Sequence, residues 1–126
     1  VKACVKFHDP RSEYFFAEGC HITELSNSAD DPAVSVARAR VEPEGTTRWH
    51  FLQDTAERYV LLEGRGLVEV EGMTEQQVGP GDVVLIPPGA KQRITNTGEG
   101  DLVFLAICSP RFNDAAYVDA EDEEAV

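Results

Sequence analysis

Gln92 is the first polar side chain in this chain whose placement the sequence argues. It follows the corner Pro87-Pro88-Gly89-Ala90, and in the strand-like run after that corner Gln92, Ile94 and Asn96 share one face. Lys91, Arg93 and Thr95 share the other. Ile94 marks the first face as inward, so the Gln92 amide points into the protein and must find partners there. Arg38 and Arg40 share a parity with Val34 and Val36. Turned inward, the pair would bind a carboxylate or phosphate by charge-assisted forks; turned outward, it is a solvated face. Cys4, Cys20 and Cys108 stand far apart without metal-type spacing, and an odd, sparse count suits reduced thiols in a cytoplasm better than a disulfide framework. His8 and His21 fall in edge or loop positions expected to be at the surface.

The elements that must hold these residues are short strands. Val83–Ile86 is a β-branched apolar run, and Pro88 with Gly89 supplies a type II corner, Gly89 taking the positive φ. Residues 33–42 read as a two-faced strand ended by Pro43 and Gly45. Residues 46–52 and 57–63 form a strand pair, with further strands at 20–25, 67–71 and 76–78 and an edge strand at 1–7. Residues 102–108 are apolar on both faces, as in a strand packed on both sides. The only helix signal is weak and lies near residues 114–120. Many short strands with Gly and Pro at the corners predict an all-β sandwich or barrel.

Composition bounds the partners. A length of 126 residues suits one domain, and 42% hydrophobic content is ordinary for a globular protein. The 23 acidic residues against 11 Lys and Arg give a net charge of −12, which argues against nucleic-acid or anionic-membrane partners. No apolar run reaches a membrane span, and residues 1–10 lack the pattern of a signal peptide. Asp119, Glu121, Asp122, Glu123 and Glu124 form an acidic tail expected to be disordered.

The spacing Gly81, Pro87, Gly89, Gln92 and Asn96 resembles the second motif of the cupins, which carries His where this chain has Gln92. Glu57 and Gly64 fit the end of the first motif, and His50 fits the first His of its His-x-His, with Leu52 in place of the second. The resemblance covers about residues 33–109 and implies a cupin jelly-roll β-barrel in one domain. Residues 1–32 would be strands and a loop joining the barrel, 33–112 the barrel itself, and 113–126 the tail. In metal-binding cupins three His and one Glu hold iron, manganese, nickel, copper or zinc. Carried over, the ligands here are His50, Glu57 and Gln92, whose neutral amide oxygen is a weaker donor than imidazole; Gln53 is a further candidate donor if the register slips by one. The same three side chains could instead satisfy one another as a hydrogen-bonded cluster.

Trp49 and Tyr59 flank these positions and could wall a pocket with Arg38 or Arg40. The expectation is a small-molecule-binding barrel with a polar, weakly metal-binding site. The alternative is a metal-dependent dioxygenase, isomerase or lyase acting on a small acid or sugar derivative, and a barrel with no ligand is a third reading. A homodimer is implied, with residues 102–108 as one place for a partner to dock.

Overall fold

The computed structural model describes residues 1–121. Its eleven strands are β1 (Tyr14–Phe16), β2 (Cys20–Ser26), β3 (Ser35–Val41), β4 (His50–Leu52), β5 (Ala56–Glu63), β6 (Gly66–Val70), β7 (Gln76–Val78), β8 (Val83–Ile86), β9 (Gln92–Asn96), β10 (Leu102–Ser109) and β11 (Tyr117–Asp119). They form a six-stranded sheet ordered β1-β2-β3-β10-β5-β8 and a five-stranded sheet ordered β11-β4-β9-β6-β7. Every pairing is antiparallel. The expected all-β jelly roll is the observed fold.

Period-two burial shows why these residues form these strands. In β6 and β9 every second side chain is buried, as expected of strands packed on one face. Val41, Leu61, Val68, Ile94, Leu102 and Phe104 meet between the sheets as the core. The corner before β9 has Gly89 at φ +77°, with the Ala90 N–H donating to the Pro87 carbonyl at 3.2 Å, a type II turn.

Four local expectations differ from the structure. Residues 1–7 form no strand; they are exposed, and Lys2 N–H and Lys6 Nζ reach Asp30 and Ser28. The strand expected from residue 46 begins only at His50. Thr47 exchanges hydrogen bonds with Ile94, its N–H donating to the Ile94 carbonyl and its Oγ1 accepting from the Ile94 N–H, so a side chain takes part of the ladder's work. Near the C-terminus one 3-10 turn, Asp114–Ala116, is capped by Asn113 and leads into β11 rather than a helix. Asp119, expected in a disordered tail, lies in that strand and pairs with Arg48 at 2.8 Å. The Glu121 carboxylate accepts from the Trp49 N–H at 2.7 Å. The rest of the expected tail, residues 122–126, lies outside the described residues. Among the described residues no helix is long and apolar enough to cross a membrane.

Candidate functional site

Strand register brings the polar residues to one end of the barrel. His50 of β4 sits opposite Gln92 of β9, and Glu57 of β5 opposite Cys108 of β10. All four are buried. Tyr59 lies two residues beyond Glu57 on the same inward face. Its hydroxyl donates to Gln92 Oε1, and Gln92 Nε2 donates to Glu57 Oε1 at 2.8 Å. Both ends of the amide are therefore satisfied, which fixes its orientation. The Cys108 thiol faces Glu57 Oε2 at 3.8 Å.

His50 does not join that chain of bonds. Its Nε2 lies 3.0 Å from Glu18 Oε2, and its Nδ1 lies 2.7 Å from the Arg48 carbonyl. Tyr117 of β11 stacks on the imidazole, with ring centroids 5.1 Å apart. Glu18 sits in the turn between β1 and β2, where its own carbonyl accepts from the Arg48 N–H at 2.7 Å. The two peptide groups flanking Arg48 thus hold both members of the Glu18–His50 pair. Cys20 donates to the other Glu18 oxygen at 3.2 Å.

Burial, reinforced by the nearby charge of Glu18, pushes the Glu57 carboxyl up to about 7. His50, Gln92 and Cys108 oppose that shift. Burial also pushes the Cys20 and Cys108 thiols upward, so neither is a ready thiolate nucleophile.

A pocket of about 50 Å³ opens beside these groups, lined by residues that include Glu18, Glu24, His50, Leu52, Glu57 and Tyr117. Among the residues expected from sequence, His50 and Glu57 line it, while Gln92 and Tyr59 lie behind Glu57. Trp49, the residue before β4, lies beneath the Arg93 guanidinium at 4.4 Å. Arg38 and Arg40 lie on the outer face of β3 and pair with Glu13 at 3.5 and 2.7 Å. None of these three arginine or tryptophan side chains lines this pocket. Gln53 is exposed. Sequence reasoning missed Glu18, Glu24 and Tyr117; Glu18 lies in a turn outside both motifs.

The donor set does not fit a transition-metal centre of the three-His, one-Glu kind. Leu52 is buried at one ligand position, and the Gln92 oxygen is held by Tyr59. The His50 nitrogens already face Arg48 and Glu18. Among the described residues no group of three or more His, Cys, Asp or Glu is arranged to hold a metal ion.

The cupin domain family model matches residues 37–108, more than half of the chain. The chain belongs to the cupin family. An uncharacterized protein of Methanocaldococcus jannaschii is 31% identical over 108 residues, 84% of this chain and 86% of the relative. Glucose-6-phosphate isomerase of Pyrococcus abyssi is 41% identical over 63 residues, 47% of this cupin, and the match spans only 33% of the isomerase. Among solved structures, KdgF from Halomonas sp. has a TM-score of 0.74 at 17% identity over 86% of this chain and 96% of its own. The nucleoside dehydratase Pac13 has a TM-score of 0.73 at 18% identity over 91% and 90%. At such identities the likeness is one of fold, and function must be argued from the site.

Proposed function

We propose that this cupin binds a small polar organic molecule whose head group enters the pocket beside Glu18, His50 and Glu57. The observation that carries this reading is the Tyr117 hydroxyl, which is buried without a hydrogen-bond partner on a residue that lines the pocket. A buried orphan hydroxyl costs stability, and a ligand oxygen or nitrogen would satisfy it. The volume suits a head group rather than a whole sugar, since one water needs about 10–15 Å³. The test is a thermal-shift screen of small polar compounds against the wild type and Ala106→Leu, whose larger side chain takes up space in the pocket. Stabilisation by a compound in the wild type, lost in the variant, supports the reading; stabilisation equal in both rejects this pocket.

A second reading is a lyase or isomerase that moves a proton on the bound molecule. It rests on Glu57, a buried carboxyl brought close to neutrality and so able to give and take a proton near pH 7. Pac13, of similar fold, is named a nucleoside dehydratase, and a dehydratase needs such a group. Loss of turnover in Glu57→Gln with ligand binding kept would support this reading. Turnover equal to wild type would leave the binding barrel alone.

A further inference from the structure

We infer that the pocket selects a ligand carrying a positively charged amine and disfavours anions. This rests on the small-molecule reading above and adds the charge class of the ligand.

The lining residues decide it. Glu18, Glu24 and Glu57 contribute three carboxyls, His50 contributes one imidazole, and no Lys or Arg lines this pocket. The imidazole is matched by Glu18 at 3.0 Å. With Glu57 protonated, Glu24 still leaves the pocket negative; with Glu57 ionised the charge deepens. Glu24 is exposed at the pocket, where a ligand's charged group meets it. Partial desolvation, helped by the nearby charge of Asp114, raises the Glu24 carboxyl above its ordinary range although an Asn27 hydrogen bond and the charge of Arg111 oppose the shift. Arg111 does not line this pocket; its guanidinium donates to Asn27 at 2.7 Å and lies in the neighbouring groove, which Glu24 and Asp114 also line.

The walls agree with the charge. Tyr14, Phe16, Phe112 and Tyr117 are among the lining residues. Phe16 meets Tyr117 edge-on at 5.1 Å and Phe112 at 6.4 Å. Aromatic π-faces attract ammonium groups and offer nothing to a phosphate or carboxylate. The net charge of −12 adds a long-range field of the same sign. A pocket of about 50 Å³ has room for an ammonium head, with the remainder of the ligand lying along the aromatic side chains of its lining. A sugar phosphate, by contrast, would find no Lys or Arg in this lining, so the partial match to glucose-6-phosphate isomerase gives no support for a phosphorylated substrate.

The test uses three probes with one carbon skeleton: 3-methylbutylamine, 3-methylbutan-1-ol and 3-methylbutanoate. Each is titrated at pH 7 into the ¹⁵N-labelled protein, following the amides of Ala37, Ala106 and Tyr117. The amine is expected to bind at least tenfold more tightly than either analogue, and to weaken several-fold between low and high salt. Glu24→Gln, at an exposed position that leaves the fold intact, should weaken the amine several-fold and leave the alcohol unchanged. Equal binding of the alcohol or carboxylate at these amides overturns the charge inference while the pocket reading stands. Amine selectivity unchanged in Glu24→Gln also overturns it, because the cation then sits elsewhere. No shift at these amides with any probe overturns both readings.

Discussion

Glu18 Oε2 lies 3.0 Å from His50 Nε2 while His50 Nδ1 faces the Arg48 carbonyl at 2.7 Å. Both ring nitrogens therefore face acceptors, and two protons are required between the imidazole and the carboxyl. Either His50 carries both, as an imidazolium opposite the Glu18 carboxylate, or Glu18 holds one. The pair is well shielded, with side chains 3% and 15% exposed, so its hydrogen bonding matters to the fold as well as the site.

Glu18→Gln and Glu18→Leu should consequently behave differently. In Glu18→Gln a neutral His50 keeps its proton on Nδ1 for Arg48 and accepts from the new amide at Nε2, so the loss should stay below about 1 kcal/mol. In Glu18→Leu the buried Nε2 has no partner, and the loss should be about 1–3 kcal/mol. Urea denaturation of both variants measures this, and equal losses would mean the pair is held by packing alone.

Glu57 predicts the sign of a pH effect. Its folded carboxyl sits near 7 against an ordinary 4.5, so the folded state holds this proton more tightly than the unfolded chain does. The stabilising contribution is fully present below about 4.5 and is lost as pH rises through about 7. The lost amount is roughly 3 kcal/mol at 1.36 kcal/mol per unit. Glu57→Gln keeps an acceptor for the Gln92 amide and cannot titrate. Stability profiles of wild type and variant should converge in acid and separate toward neutral pH, the variant being the more stable; parallel profiles would place the Glu57 proton elsewhere.

The sequence made the barrel legible because its signals are local. The type II corner at Gly89 and the alternation in β9 needed only neighbouring residues, and the inward direction of Gln92 followed from Ile94. The same alternation, carried one residue back from His50 of β4, turns Trp49 away from the inward face, and in β3 the buried Ser35, Ala39 and Val41 leave Arg38 and Arg40 outside. Glu18 was not legible. Its role arises from Arg48 binding the β1–β2 turn on one side and His50 on the other, a contact between segments some thirty residues apart in sequence. β11 was likewise hidden, because Tyr117–Asp119 is too short to show a period and forms by pairing with His50–Leu52.

Restoring the missing imidazoles should restore metal binding. Leu52→His with Gln92→His rebuilds the three-His, one-Glu pattern on strands that already face each other. Nickel or zinc affinity of the double variant should exceed that of the wild type by at least a hundredfold in calorimetric titration, with Gln92→His alone giving a smaller gain. No gain in the double variant would mean that the Glu18–His50 pair keeps His50 from turning to a metal.

Gly89→Ala isolates a backbone cost. A Cβ there would meet nothing within 4 Å, so no clash contributes, and only the positive φ of +77° opposes it. The expected loss is about 1–2 kcal/mol, read from a denaturation midpoint at unchanged m-value. No loss would mean that the corner relaxes to another turn type.

The homodimer expected from the family resemblance remains a proposal, and the structure suggests a different surface for it. β10 lies between β3 and β5 and has no free edge. β8 ends the six-stranded sheet and exposes Val83 and Leu85 at 56% and 69%, beside Leu62 at 44%. An exposed apolar edge strand invites pairing, and two copies of one antiparallel edge are self-complementary about a two-fold axis. We propose that a second copy of this chain covers β8. Sedimentation velocity should give about twice the monomer mass of 13.8 kDa, and Leu85→Lys should return it to the monomer with an unchanged circular dichroism spectrum. A monomeric wild type would remove the proposal, and a dimer that persists in Leu85→Lys would move the interface away from this edge.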